Sequence, residues 1–142
     1  MTFRFLPDVA LADVAFEAES DTLEGLFTSC ALAITDIMVD PDTLRQSETH
    51  KFVLKSPDLD RLLYDFLTEL IIAKDIDSLL FKTFEVEVEV DPATTSLRAS
   101  AKGEPIDRER HRLRNDVKAV TMHLFGIKKE GKGWKTTVVL DI

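Results

Sequence analysis

Phe84-Glu85-Val86-Glu87-Val88-Glu89-Val90 is the stretch that decides the fold class. Apolar and acidic residues alternate strictly, which is the period of a strand with one buried face and one wet face. Glu85, Glu87 and Glu89 then share a face at spacings of roughly 7 Å. A solvated sheet surface accounts for them, and their charge discourages pairing of this edge with another chain. A turn through Asp91-Pro92 leads on to a second strand carrying Leu97, Ala99 and Ala101.

Upstream of this hairpin the period changes. Leu59, Leu62, Leu63, Phe66, Leu67, Leu70 and Ile71 recur at helical spacing, and Ser56-Pro57 reads as the cap and first residue of that helix. Before it, Phe52 and Leu54 alternate with Lys51, Val53 and Lys55 as a strand. An earlier helix carries Leu23, Leu26, Phe27, Cys30, Ile34, Ile37 and Met38, with Asp21 as expected cap, Glu24 three residues on, and an end before Pro41. Val14, Phe16 and Ala18 form a strand ahead of it, and Phe3 to Leu6 a shorter one.

Downstream, Pro105 to Asn115 is polar and reads as a loop. Asp116 to His123 reads as a short helix capped by Asn115. Leu124 to Lys129 and Trp134 to Leu140 form a last hairpin across Gly131 and Gly133. The order ββαβαββαββ predicts an α+β fold, a mixed and largely antiparallel sheet with helices packed on it, as a single domain over residues 1–142.

Composition narrows the function. The 142 residues are 44% hydrophobic and 31% charged, with formal net charge −8, so nucleic-acid phosphates repel the chain unless its cations are segregated. Arg108, Arg110, His111, Arg112, Arg114 and Lys118 cluster, as do Lys128, Lys129, Lys132 and Lys135; each group alone reads as a solvated loop or hairpin tip. Apolar runs stop short of the roughly 18 residues that span a membrane, and the start lacks the apolar core of a signal peptide, so the expected location is the cytoplasm. Cys30, the one cysteine, falls on a helical apolar stripe and reads as a buried thiol.

Phosphate-binding GxxxxGK[ST], GxGxxG and GxSxG are absent, and His50, His111 and His123 lack metal-ligand spacing with Cys30. The end of the sequence is more informative. Asp141-Ile142 follows the apolar strand Val138-Val139-Leu140 and places a side-chain carboxylate beside a main-chain one. Neighbouring anions repel and so invite a cation. A third acid would complete an all-oxygen site suited to Ca²⁺, Mg²⁺ or Mn²⁺ rather than zinc, though spacing alone does not name that acid.

Several segments, in order along the whole chain, resemble the archease family. Leu11-Ala12-Asp13-Val14 resembles its TADV-like turn, before a helix ending in Ile37-Met38-Val39-Asp40. Leu59 to Leu70 looks like its second helix, and Gly103-Glu104, Asp107 and His111 follow. Asp116-Val117-Lys118-Ala119-Val120-Thr121-Met122-His123 is similar to its EVKAVTYH signature, and the chain closes on the family's Asp-Ile. Ala10-Leu11 stand where the family has His-Thr, Asp116 where it has Glu, and Met122 where it has Tyr.

The resemblance implies an α+β sandwich and a divalent metal site formed by Asp13, Asp141 and Ile142. It further implies an accessory protein, not itself an enzyme, that activates the GTP-dependent RNA ligase of tRNA splicing and promotes its guanylylation and multiple turnover. Arg110, His111, Asp116 and Lys118 are then expected to face the ligase, with RNA contacted only indirectly. Two other readings stand beside it: a small divalent-metal-dependent hydrolase using Asp13 and Asp141, and a chaperone-like protein-binding module.

Overall fold

The computed structural model describes residues 2–7 and 13–142. The elements are β1 (Thr2–Phe5), β2 (Asp13–Ser20), α1 (Leu23–Met38), β3 (Glu48–Ser56), α2 (Leu59–Asp77), β4 (Leu79–Val90), β5 (Thr95–Pro105), β6 (Ala119–Val120), β7 (Gly126–Glu130) and β8 (Gly133–Asp141), with a 3₁₀ turn at Pro41–Thr43. The α+β class stands. The strands divide into two sheets, and every pairing among the described residues is antiparallel. One sheet runs β1-β2-β8-β6, with β7 also on β8; the other runs β3-β5-β4.

Both helices lie between the sheets. α1 packs on β4 on one side and on β2 and β8 on the other, while α2 packs on β3, β4 and β5 and reaches β6 and β7. A helix covered on two sides must bury more than one stripe. α1 does so with small residues: Ser29, Ala31 and Ala33 are buried beside Leu26, Phe27, Cys30, Ile34 and Ile37. Phe27, Phe66, Phe52, Phe81 and Phe84 form a chain of aromatic contacts with centroids 5.9–6.5 Å apart, joining both helices to the smaller sheet.

Helix starts differ from the sequence expectation by a residue or two. Thr22, not Asp21, caps α1: its Oγ1 accepts the Gly25 amide at 3.0 Å. Glu24 does not close a capping box; it accepts the Val88 amide at 3.2 Å, satisfying a donor on β4, an edge strand of its sheet. Asp58 caps α2 by accepting the Arg61 amide at 2.8 Å, because Ser56 is the last residue of β3 and pairs with Thr95. The β4–β5 register slips between Phe81 and Thr83. Opposite that slip only glycine fits at 103, where a Cβ would stand 1.8 Å from the Leu80 carbonyl oxygen. No helix among the described residues is long and apolar enough to cross a membrane.

Candidate functional site

The β2–β8 ladder runs from Ser20 opposite Trp134 to Asp13 opposite Asp141. Toward this end its inward rungs are apolar: Phe16 meets Val138, and Val14 meets Leu140. Side chains alternate between faces, so Asp13 and Asp141 lie together on the face turned away from the helices. They are direct cross-strand partners, a position in which side chains start roughly 4.5–5.5 Å apart and like charges destabilise the pair. Among the described residues neither carboxylate enters an ion pair with a cationic side chain. Asp141 is exposed and Asp13 half-buried, while Ile142 packs against the core.

Residues 112 to 121 run as a strip from the end of α1 to the end of β8. The expected helix at Asp116–His123 does not form; the segment runs extended and its backbone bonds to distant carbonyls instead. Arg114 donates to the Met38 carbonyl at 2.8 Å and Asn115 to the Ile37 carbonyl at 3.0 Å, satisfying the open C-terminus of α1. Lys118 donates to the Asp141 carbonyl at 2.8 Å and Thr121 to that of Val139 at 2.9 Å. Only Ala119–Val120 is regular, pairing with Asp141 and Leu140. The strip thus brings Lys118 beside the acidic rung. Asp116 turns toward α2, where its Oδ1 accepts from Lys74 Nζ at 2.5 Å.

Arg110 and His111 converge on a different group, the buried Glu104. Arg110 donates to both Glu104 carboxylate oxygens, at 3.0 Å to Oε2, and also to the Thr43 carbonyl at 3.3 Å. The Arg45 amide donates to Oε2 at 2.5 Å. His111 Nε2 lies 2.9 Å from Oε2, and its Nδ1 accepts the Asp107 amide at 2.9 Å, which assigns the ring proton to Nε2. The Arg110 guanidinium, ahead of His111 and the Arg45 amide, holds the Glu104 carboxyl at about 2. Both His111 nitrogens are therefore occupied, and its side chain is fully buried.

A profile of the Archease protein family matches residues 3–142. The chain belongs to the archease family. The archease of Pyrococcus abyssi is 36% identical over 132 residues, covering 92% of this chain and 93% of the relative. That of Methanosarcina mazei is 35% identical over 132 residues, covering 92% and 90%. A solution structure of Methanobacterium thermoautotrophicum protein 1598 superposes with TM-score 0.81 at 32% identity, over 99% of this chain and 98% of that one. The crystal structure of a Thermotoga maritima archease, described as a possible chaperone, shares the fold with TM-score 0.65 at 16% identity, over 96% of each chain.

Within the archease fold the expected site residues separate into three places. Asp13, Asp141 and Ile142 gather at one end of the larger sheet with Lys118 alongside; Asp116 is tied to Lys74; Arg110 and His111 hold Glu104. Ala10 and Leu11, the departures from the family turn, lie outside the described residues. Among the described residues no group of three or more His, Cys, Asp or Glu side chains assembles around a common point. The side-chain donors at the acidic rung are thus two carboxylates, and Ile142 can add only main-chain oxygen. Opposed, unneutralised carboxylates with no nitrogen or sulfur donor suit a hard divalent cation and not zinc.

The two basic clusters are neutralised in part: Arg110 meets Glu104, Arg112 meets Asp40 and Arg114 meets Asp36 in the first, and Lys135 meets Glu17 and Glu130 in the second. Sequence reasoning missed Lys74, although the signal was present. It continues the spacing of Leu67, Leu70 and Ile71, a lysine on an apolar stripe. Nothing comparable marked Glu104 as buried.

Proposed function

We propose that this archease is the metal-dependent activator of a GTP-dependent RNA ligase, the enzyme that seals tRNA halves bearing a 3′-phosphate or 2′,3′-cyclic phosphate. The observation that carries this reading is the terminal rung of the β2–β8 ladder, which opposes Asp13 and Asp141 beside Lys118. Asp13, Asp141 and main-chain oxygen of Ile142 would hold Ca²⁺, Mg²⁺ or Mn²⁺. The bound ion would neutralise the clustered charge and present an electrophilic centre at the sheet's end. Lys118, exposed next to it, supplies a cation that a nucleotide-bearing partner would meet.

Activation follows if this edge binds the ligase conformation that accepts GMP better than the resting one, since a partner shifts an equilibrium only by its differential affinity. Lys118 and the acidic rung form the contact surface, and RNA is engaged through the ligase. Arg110 and His111 act in this reading by fixing the loop that leads into the strip. With both nitrogens bonded, His111 is not free to act as the general base that a hydrolase would need.

The test is multiple-turnover ligation by the cognate ligase with wild-type protein or Asp13→Ala, in Mg²⁺, Mn²⁺ and Ca²⁺. Stimulation by the wild type and its loss in the folded variant is the expected result. Absence of wild-type stimulation in all three ions would refute the reading.

A further inference from the structure

Lys74 is a buried cation in the last turn of α2, with 8% of its side chain exposed. Its ammonium has three acceptors on one side of the helix: Asp116 Oδ1 at 2.5 Å, Asp75 Oδ1 at 2.6 Å and the Val117 carbonyl at 2.8 Å. Two of these contacts are hydrogen bonds, to Asp116 and to the Val117 carbonyl, and Asp75 adds an ion pair. Two of the acceptors belong to the strip that runs to β8, and the next amide along, that of Lys118, is the one bonded to the Asp141 carbonyl. Val117, between them, is fully buried. The strip has almost no regular structure of its own. Its path is set by the α1 carbonyls at one end, the β8 carbonyls at the other and Lys74 in the middle.

We propose that Lys74 is a positioning residue: by holding Asp116 and the Val117 carbonyl, it fixes the approach of Lys118 to the Asp13–Asp141 rung. Asp116 then serves as an anchor of the strip from its exposed side and is not itself the ligase contact. Lys74 acts away from the acidic rung, through Asp75, Asp116 and the Val117 carbonyl. Its effect is on the fraction of molecules whose strip is seated, and a partner's apparent affinity scales with that fraction.

The inference rests on the ligase-activator reading for its functional arm and on exchange for its structural arm. Wild type, Lys74→Met, Lys74→Arg and Asp116→Asn are compared, each checked for cooperative unfolding, by two measurements. One is the activator concentration giving half-maximal ligase turnover; the other is amide hydrogen exchange at Lys118 and Thr121. Lys74→Met should raise the half-activating concentration about tenfold while leaving turnover at saturation within about twofold. It should speed exchange at Lys118 and Thr121 without changing the α1 core. Lys74→Arg, whose guanidinium can donate to the same acceptors, should recover most of both.

A folded Lys74→Met protein with wild-type half-activation and wild-type exchange overturns the proposal. Should Lys74→Met fail to fold, Asp116→Asn decides: faster exchange at Lys118 supports the anchor, and unchanged exchange refutes it. If the wild type does not stimulate the ligase, the activator reading falls, while the exchange comparison still decides whether Lys74 seats the strip.

Discussion

Glu104→Gln isolates the buried network that fixes the loop before the strip. The substitution keeps shape and removes the charge that accepts from both Arg110 nitrogens, His111 and the Arg45 amide. In the folded protein Arg110 holds the Glu104 carboxyl at about 2, against an ordinary 4.5. That difference favours the folded state by about 3 kcal/mol wherever the group is ionised in both states. Arg110 keeps 31% of its side chain in water and can rehydrate when its partner is lost, so the expected loss is about 2–3 kcal/mol. The sign follows from the lowered value: the contribution is present in full above pH 4.5 and disappears as pH falls toward 2. Urea unfolding of wild type and variant should therefore show midpoints differing by about 1 M at pH 7, converging toward pH 2. A difference that stays constant across that range, or lies below about 0.5 kcal/mol at pH 7, would refute the assignment of Glu104 as an ionised hub.

Asp141→Asn should stabilise the metal-free protein by roughly 0.2–1 kcal/mol, since it removes one of two like charges from a single rung. Millimolar Ca²⁺ or Mn²⁺ is expected to raise the Tm of the wild type and not that of this variant; an equal rise in both would place the ion elsewhere, and no rise in the wild type would refute the site. Gly103→Ala would set a methyl 1.8 Å from the Leu80 carbonyl oxygen and 2.7 Å from Phe81 Cα, both backbone atoms that cannot swing aside. A destabilisation of about 3 kcal/mol by thermal unfolding is expected, and a neutral result would count against the β4–β5 register. Cys30 is fully buried and its thiol is pushed up by desolvation, so it should stay unlabelled by a thiol reagent until the protein unfolds; labelling of native protein within minutes would contradict that burial.

What the sequence disclosed and what it hid follow one physical division. Strand and helix periods report a residue's own burial, so β4, β5, α1 and α2 were legible from the spacing of Val86, Leu97, Leu26 and Leu62. The number of layers is not a local property. A strand pattern tells that one face is buried, but not whether a second sheet lies beyond the helix. The clue was the run of small residues Ser29, Ala31 and Ala33, which lets α1 be covered on both sides. The misread segment, Asp116 to His123, has acceptable helical spacing. Its backbone is held instead by acceptors far away in sequence, the Val139 and Asp141 carbonyls, just after Arg114 and Asn115 are tied to those of Met38 and Ile37. His111 illustrates the same limit. A histidine in a basic cluster looks available, and only the fold reveals that Glu104 and the Asp107 amide occupy both its nitrogens.

The acidic rung shows how packing can position chemistry without touching it. Nothing local attracts Asp13 to Asp141; each repels the other. What opposes them is the register of the ladder, and that register is set by the inward rungs Phe16–Val138 and Val14–Leu140. A one-residue slip would move every inward side chain of one strand to the outer face, exposing Val138 and Leu140 or Phe16 and Val14. The burial of those side chains costs far more to undo than the roughly 1 kcal/mol of repulsion at the final rung. The core can therefore hold two carboxylates together before any cation arrives. Such preorganisation lowers the ordering that binding would otherwise require, because the donors need not be gathered by the ion. The strip adds to this end of the sheet: the Lys118 amide on the Asp141 carbonyl ties the strip's backbone to the same rung. An acidic protein thereby holds two opposed carboxylates and the Lys118 backbone at a single edge of its sheet.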